Sequence, residues 1–334
     1  MKWGMHRRTI LAAPALLAPA AARAQAPWPD RPITMAVGFL AGGSADIAAR
    51  IMAERMPAHL PMTGGVPARI LVDNRTGAGG AVAAAWTKRQ PPDGYAVMMA
   101  TASSHGAVPA TTPDTTPYDP IADFTAIARV GSGPFLIVVP RTSPHQTIGA
   151  LFDFLRANPG RASWATSGTG GIGHLAGEYM LLRAGGLRAE HVSYRGGAAV
   201  MEALAKGEVD FSVEVLASTV THLREGLSRG LAVTAPERHR MASDIPTLSE
   251  SGLDGFDMGT WNLLLGPRDL PAPITGALNR SVVACLAEEA VRARLMQAGV
   301  DPAPSATPEE AAAFLAADLA KFRDIVRRAN IRLR

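Results

Sequence analysis

One grammar repeats along the chain: a short apolar, β-branched run breaks into glycines, and the glycines open a segment with helical spacing. "RPITMAVGF", from about Arg31 to Phe39, leads through "LAGGS" into "ADIAARIMAERM"; "ARILVDN" leads through "RTGAGG" into "AVAAAWTKR"; "YAVMMATASSHGAV" ends in small polar residues. Strands that alternate with helices on this scale are joined by crossovers, which calls for parallel sheets covered on both faces, an α/β fold. The order resumes after "FTAIARVGSG" with strand "FLIVV", helix "IGALFDFLRAN", strand "ASWATS", a glycine loop and helix "HLAGEYMLLRA". Strand "EHVSYRG", helix "AAVMEALAKG" and strands "VDFSVEV" and "GLAVTA" complete a second block. What remains, "WNLLLGP" and amphipathic helices from about Ile274 to Gln297 and from Pro308 to Arg328, is too small to stand alone. It is expected to return over the first block, so that residues 27–128 and 256–334 form one domain and 129–255 the other, with two crossings between them.

Residues 1–26 read as a secretory signal peptide, with Lys2, Arg7 and Arg8 before the apolar run "TILAAPALLAPAAA" and the small-residue site "ARAQA". Cleavage is expected after Ala24 or Ala26, and Arg7-Arg8 before "TIL" permits the twin-arginine route as well as Sec. The apolar run is short for a bilayer and is interrupted by Pro14 and Pro19. Loss of Lys2, Arg7, Arg8 and Arg23 would bring the net charge of +4 to neutrality, which removes the case for nucleic acid or an anionic membrane as partner. The single Cys285 lies in a helical pattern as a small buried apolar group, so the exported chain has no disulfide to rely on and needs a sizeable core.

"ATSGTGGIGHLAGE" contains the spacing G-x-G-x-x-G in Gly168, Gly170 and Gly173. A dinucleotide site would also need an acidic residue ending the next strand, but Glu190 precedes that strand, which ends in Tyr194, Arg195 and Gly196. No nucleotide or other cofactor is therefore expected. The loop keeps the physics beneath the fingerprint, glycine backbone and a helix N-terminus that present N–H donors to an anion. "GFLAGGSADIAAR", where Ser44 or Asp46 could cap the helix, and "TASSHGA" share that preference, so several loops from two blocks suggest one anion site.

These loops resemble the Bug family, the extracytoplasmic solute receptors of tripartite tricarboxylate transporters. "WPDRPITMAVGFLAGGSADIAAR", "VDNRTGAGGAVAA", "PPDGYAVMMATASSH", "YDPIADFTAIARVG", "SWATSGTGGIGHLAGE", "VSYRGGAAVMEALAKGEVDF", "LAVTAPERHRMASDIPTLSESG" and "WNLLLGP" carry the resemblance in order across the chain after the leader. It implies a type II periplasmic-binding-protein fold whose two domains close over a small carboxylate, a periplasmic location, membrane transporter subunits as partners and a monomer. The contacts it implies in the first domain are Phe39, Gly42, Gly43, Ser44 and Asp46, with Thr101, Ser103, Ser104 and His105. In the second they are Ser167, Gly168, Thr169, Gly170, Gly171 and His174, then Tyr194, Gly196, Asp210 and Glu214. Two positions depart from the family: Ala41 stands where a Pro or small turn residue is usual, and Glu214-Val215 where many members have Asp-Asn. Glu214 would repel a second ligand carboxylate unless it is protonated or meets a cation or amine.

A hydrolase would need a nucleophile elbow, and none of the loop serines sits in G-x-S-x-G. A metal site would need clustered ligands, and there is no H-x-x-x-H or C-x-x-C. A non-catalytic receptor without metal is the expectation, with a sensory protein that reports its ligand to a signalling partner as the competing use of the same pocket.

Overall fold

In the computed structural model of the protein the described residues are Met1 and 28–331, so the expected leader, Met1 apart, and its cleavage position lie outside them. The first half is built on β1 (Ile33–Val37), flanked in parallel by β2 (Ile70–Asn74) and β3 (Ala96–Thr101). Helices α1 (Ser44–Arg55) and α2 (Ala81–Lys88) make the crossovers, and β3 runs into a π-helical turn at Ser103–Ala107 and the short α3 (Val108–Thr111). Then comes β4 (Phe124–Pro140), a strand of 17 residues.

The second half follows as α4 (Ile148–Ala157), β5 (Ser163–Thr166), α5 (Ile172–Arg183), β6 (Glu190–Ser193), α6 (Gly197–Lys206), β7 (Phe211–Val215), α7 (Leu216–Arg224) and β8 (Ser228–Val233). The chain returns through β9 (Gly259–Pro267), α8 (Ala272–Ala287), α9 (Glu289–Gln297), β10 (Asp301–Pro302) and α10 (Pro308–Ala329). The strand order is β2-β1-β3-β9-β4-β7-β5-β6, with β8 and β10 also paired to β4.

The parallel sheets expected from the repeat are only part of this sheet. β9 runs antiparallel to both β3 and β4, and β4 antiparallel to β7 and β8, so the sheet is mixed. The physical reason is that β4 and β9 are not joined to their neighbours by a helical crossover and are free of its directional constraint. Residues 124–134 of β4 pair with β9 and residues 135–140 with β7 and β8, so one strand passes from the first half into the second without a break.

Two further expectations change. The helix read from Ile274 to Gln297 is divided, because Glu288 is extended (φ −71°, ψ 122°) and its carboxylate accepts hydrogen bonds from Arg55 Nη2 (2.6 Å) and pairs with His59 Nε2 (2.7 Å). The structure also adds α7, for which the sequence gives no sign, since "LASTVTHLR" starts directly after a strand with no glycine loop to announce it.

One core lies under α1 and α8 and is filled by residues such as Met35, Met52, Val97, Leu264 and Leu278. The larger core runs through both halves, from Met98 and Leu263 to Trp164 and Phe211. Each such side chain contributes about 1.5–3 kcal/mol on burial. α10 lies across the back of the β4–β9 pair: Asp318 accepts from Trp261 Nε1 (2.6 Å), Arg129 lies over the Phe314 ring (3.8 Å), and Phe322 packs on Gly106.

Candidate ligand-binding cleft

Parallel strands deliver the N-termini of the following helices to one edge of a sheet, and that edge is where ligands bind in open α/β folds. Here the two halves bring such edges face to face around a cavity of about 130 Å³, adjoined by a second of about 640 Å³. Four helices begin on the inner cavity, at the N-caps Gly43 of α1, Gly171 of α5, Gly196 of α6 and Val215 of α7. None of the four is capped by the side chain of its own N-cap residue, whereas Thr147 and Thr307 close α4 and α10 away from the cavity. The first N–H groups of a helix have no partner within it and carry its positive pole, so convergent uncapped termini suit an anion.

The loops are braced from beneath by polar side chains of their own helices. Asp46 Oδ2 accepts from the Gly42 N–H (2.9 Å) and from Arg50 Nε (2.9 Å), while Asn74 Nδ2 donates to Asp46 Oδ1 (2.9 Å). Burial alone would raise the Asp46 pKa; the donors Arg50, Gly42 and Asn74 outweigh it and hold the carboxylate below its usual range. In the opposite half His174 Nδ1 accepts from the Gly170 N–H (3.2 Å), and its ring stacks on His191 at 3.6 Å. Burial, with His191 adding to it, pulls the His174 pKa down to about 3, so it braces the loop as a neutral ring. At the end of β3, Ser104 Oγ accepts from the Thr101 N–H (3.1 Å). The G-x-G-x-x-G spacing acquires a local meaning: Gly170 has φ +75°, and a Cβ on Gly173 would stand 3.3 Å from Phe135 Cε1 and from the Val213 carbonyl oxygen.

Of the residues singled out in sequence, Phe39, Gly42, Gly43, Ser44, Thr101 and Ser103 line the inner cavity from the first half, and Ser167, Gly168, Gly171, Gly196 and Glu214 from the second. Thr169 and Tyr194 line the adjoining cavity. Asp46, Ser104, Gly170 and His174 belong to the bracing just described and line neither. His105 is fully buried against Phe124 and Tyr118, its pKa drawn down to about 3 by burial, and does not reach the cleft. Asp210 is misplaced by one strand length. It precedes β7 and accepts from the Ser163 N–H (2.8 Å), at the sheet edge opposite the cavity, because a strand lined up in parallel offers only its C-terminal end to the cleft.

A G-x-S-x-G spacing does occur at Gly226–Gly230, but Ser228 is buried at the start of β8 rather than on a strand-to-helix turn, so it is no elbow. Cys285 is buried in α8 and its thiol is pushed up to about 12 by burial, as suits a packing group.

Several lining residues were not singled out in sequence as site residues: Arg195 on the loop before α6, Gly79, Phe135 of β4, and Thr260 and Asn262 of β9. A polar Asn inside the apolar strand "TWNLLLG" was the available signal for Asn262, which is buried with Nδ2 unpartnered. Across the cleft the Ile172 N–H donates to Ser103 Oγ (3.0 Å), which joins the start of α5 directly to the turn after β3.

Glu214 is the acid on the cavity wall, and Arg195 is the other charged residue lining it. Glu214 Oε1 accepts from the Val215 N–H (2.9 Å) and from Ser167 Oγ (3.4 Å), while Oε2 is buried without a partner. Burial outweighs those hydrogen bonds and raises its pKa to about 7. Arg195 is exposed, and among the described residues it makes no ion pair.

Two α/β halves joined by a shared strand, with a small cavity between facing helix N-termini, define a solute receptor of the periplasmic-binding-protein kind. A protein of R. palustris solved with adipate has the same fold with a TM-score of 0.85, at 30% identity over 91% of this chain and 99% of that one. MatC of Rhodopseudomonas palustris, solved with bound malate, gives a TM-score of 0.82 at 29% identity over 90% and 100% of the two chains. Protein BugT of Bordetella pertussis is 29% identical over 307 residues, 92% of each chain. The family model described as "Tripartite tricarboxylate transporter family receptor" matches residues 49–331, and the chain belongs to that family. Its members are receptors rather than enzymes, and their class is periplasmic.

Proposed function

We propose that the protein is the extracytoplasmic receptor of a tripartite-type uptake system and binds a small organic carboxylate in the cleft. The observation that carries this is the convergence of four uncapped helix N-termini, from both halves, on one cavity. The adipate and malate bound by its structural relatives are ligands of that chemistry. One carboxylate is held by the amides of Ser44 and Gly171 with the hydroxyl of Thr101. Phe39, Gly42, Gly168 and Gly196 shape the walls, and Thr169 and Tyr194 line the approach. The two blocks read in sequence, 27–128 with 256–334 and 129–255, move as two domains, with the hinge displaced to Pro134 and Gly259, where β4 passes from β9 to β7. A two-state receptor of this kind is shifted to its closed form by a ligand that contacts both walls. The closed monomer then meets membrane transporter subunits. A cleaved leader, through Sec or the twin-arginine route, delivers the chain.

The test is the melting temperature of protein freed of carried ligand, recorded against mono-, di- and tricarboxylates with NADH and esters as controls. A ligand at a hundred times its dissociation constant adds about 2.7 kcal/mol and moves the curve visibly. A shift with NADH alone would sink the proposal, and capture of a sensor kinase in place of transporter subunits by ligand-loaded protein would replace transport with sensing.

A further inference from the structure

The inner cavity holds two unpartnered buried polar groups of opposite character. Asn262 presents an amide whose Nδ2 lacks an acceptor, and Glu214 a carboxyl whose Oε2 lacks a donor; Asn262 is 2% exposed and Glu214 1%. A polar atom that stays unpaired in a dry site costs about 1–3 kcal/mol, more if charged, so the favoured occupant is one that fills both vacancies. The charges point the same way. Arg195 and Glu214 are the charged residues on the wall, and with Glu214 ionised they sum to zero. A ligand with one negative end and one hydrogen-bond donor matches that balance, while a dicarboxylate would set a second anion against Glu214.

We propose, resting on the carboxylate-receptor function above, that the natural ligand is a monocarboxylate bearing an N–H donor at its other end, amine or amide, and that Glu214 Oε2 accepts that hydrogen bond. The carboxylate sits among the helix N-termini and Asn262. Glu214 is the residue that sets specificity, and the Ser167 hydroxyl and Val215 amide, both on Oε1, fix its orientation and leave Oε2 for the ligand.

The experiment is titration calorimetry on the full chain, unfolded and refolded to remove carried ligand. The probes are a straight-chain dicarboxylate, its monoamide, the ω-amino acid and the plain monocarboxylate, matched in carbon count and tried at several lengths. The amide or the amine should bind on the order of a hundredfold tighter than the dicarboxylate and the plain acid, as sites built for a donor reject analogues that lack it. Its affinity should fall as pH drops from 8 to 6, because protonation removes the acceptor. Glu214→Gln separates the two donors: an ammonium ligand loses its preference, whereas an amide keeps it and loses it only in Glu214→Met. Tightest binding of the dicarboxylate, gaining affinity as pH falls, would overturn the proposal and leave the receptor function standing, with Glu214 acting as a protonated donor. If no carboxylate binds at any length, the receptor function itself falls and takes the proposal with it. The titrations of the unmodified chain decide the matter even if a variant does not fold.

Discussion

Asp46 and Glu214 are both acids, each 1% exposed, and each stands beside a helix N-terminus at the cleft, one in either half. Asp46 is turned into its own wall, where Gly42, Arg50 and Asn74 saturate it. Glu214 is satisfied on one oxygen only. The first wall thus offers a neutral surface of backbone and hydroxyl groups, and the second carries both charged residues, Glu214 and Arg195. An acid that serves the fold is paired to completion; one left half-paired in a cavity is free to serve a ligand.

The largest test of this contrast is the pH dependence of stability. Glu214 has a folded pKa of about 7 against an ordinary 4.5, so between those values the folded chain keeps a proton that the unfolded chain releases. Its contribution therefore falls as pH rises across that window, by about 3 kcal/mol in all. Denaturant unfolding at pH 5 and pH 8 should show Glu214→Gln relatively more stable at the higher pH, and an unchanged pH profile would place the proton elsewhere. Asp46 works in the opposite sense. Its folded pKa lies below 3.8, so its contribution is present at neutral pH and is lost as acid protonates it. Asp46→Ala should cost about 2 kcal/mol at pH 7 through the donors left unpaired, a deficit that shrinks in acid.

The hydrogen bond between the walls gives a smaller effect. Ser103→Ala removes the acceptor of the Ile172 N–H and should cost about 1 kcal/mol of the closed state, seen as a several-fold weaker ligand affinity and a larger radius of gyration in solution scattering. The smallest belongs to Arg195. Because the side chain is exposed, Arg195→Gln should leave the melting temperature unchanged and lower the association rate of anions a few-fold, with a flatter salt dependence in stopped-flow traces.

The loops were legible in sequence because glycines after an apolar run announce a strand-to-helix turn, and each glycine loop that was read does end a strand at the cleft. Within those loops the side chains were less legible. Asp46, Ser104 and His174 look like ligand contacts in a linear motif, yet each spends its acceptor on a loop amide three or four residues earlier. Spacing shows that two residues are near one another but not which way either faces. Asn262 and Thr260 escaped notice for another reason: they come from β9, whose place between β3 and β4 depends on pairings that no local pattern encodes. β4 likewise read as the short "FLIVV", because its first part, "FTAIARVGSG", carries the glycines and mixed polarity of a loop.

The insertion of β9 also sets a timetable. β3 is complete at Thr101 and has β1 on one side, but its neighbour on the other side is not synthesised until residues 259–267, and the helix that packs against the turn after β3 begins at Pro308. The first-made half of the molecule is thus the last to be finished, while the second half has all its own strands once Val233 has emerged. A ribosome would release most of this chain before its opening third could close.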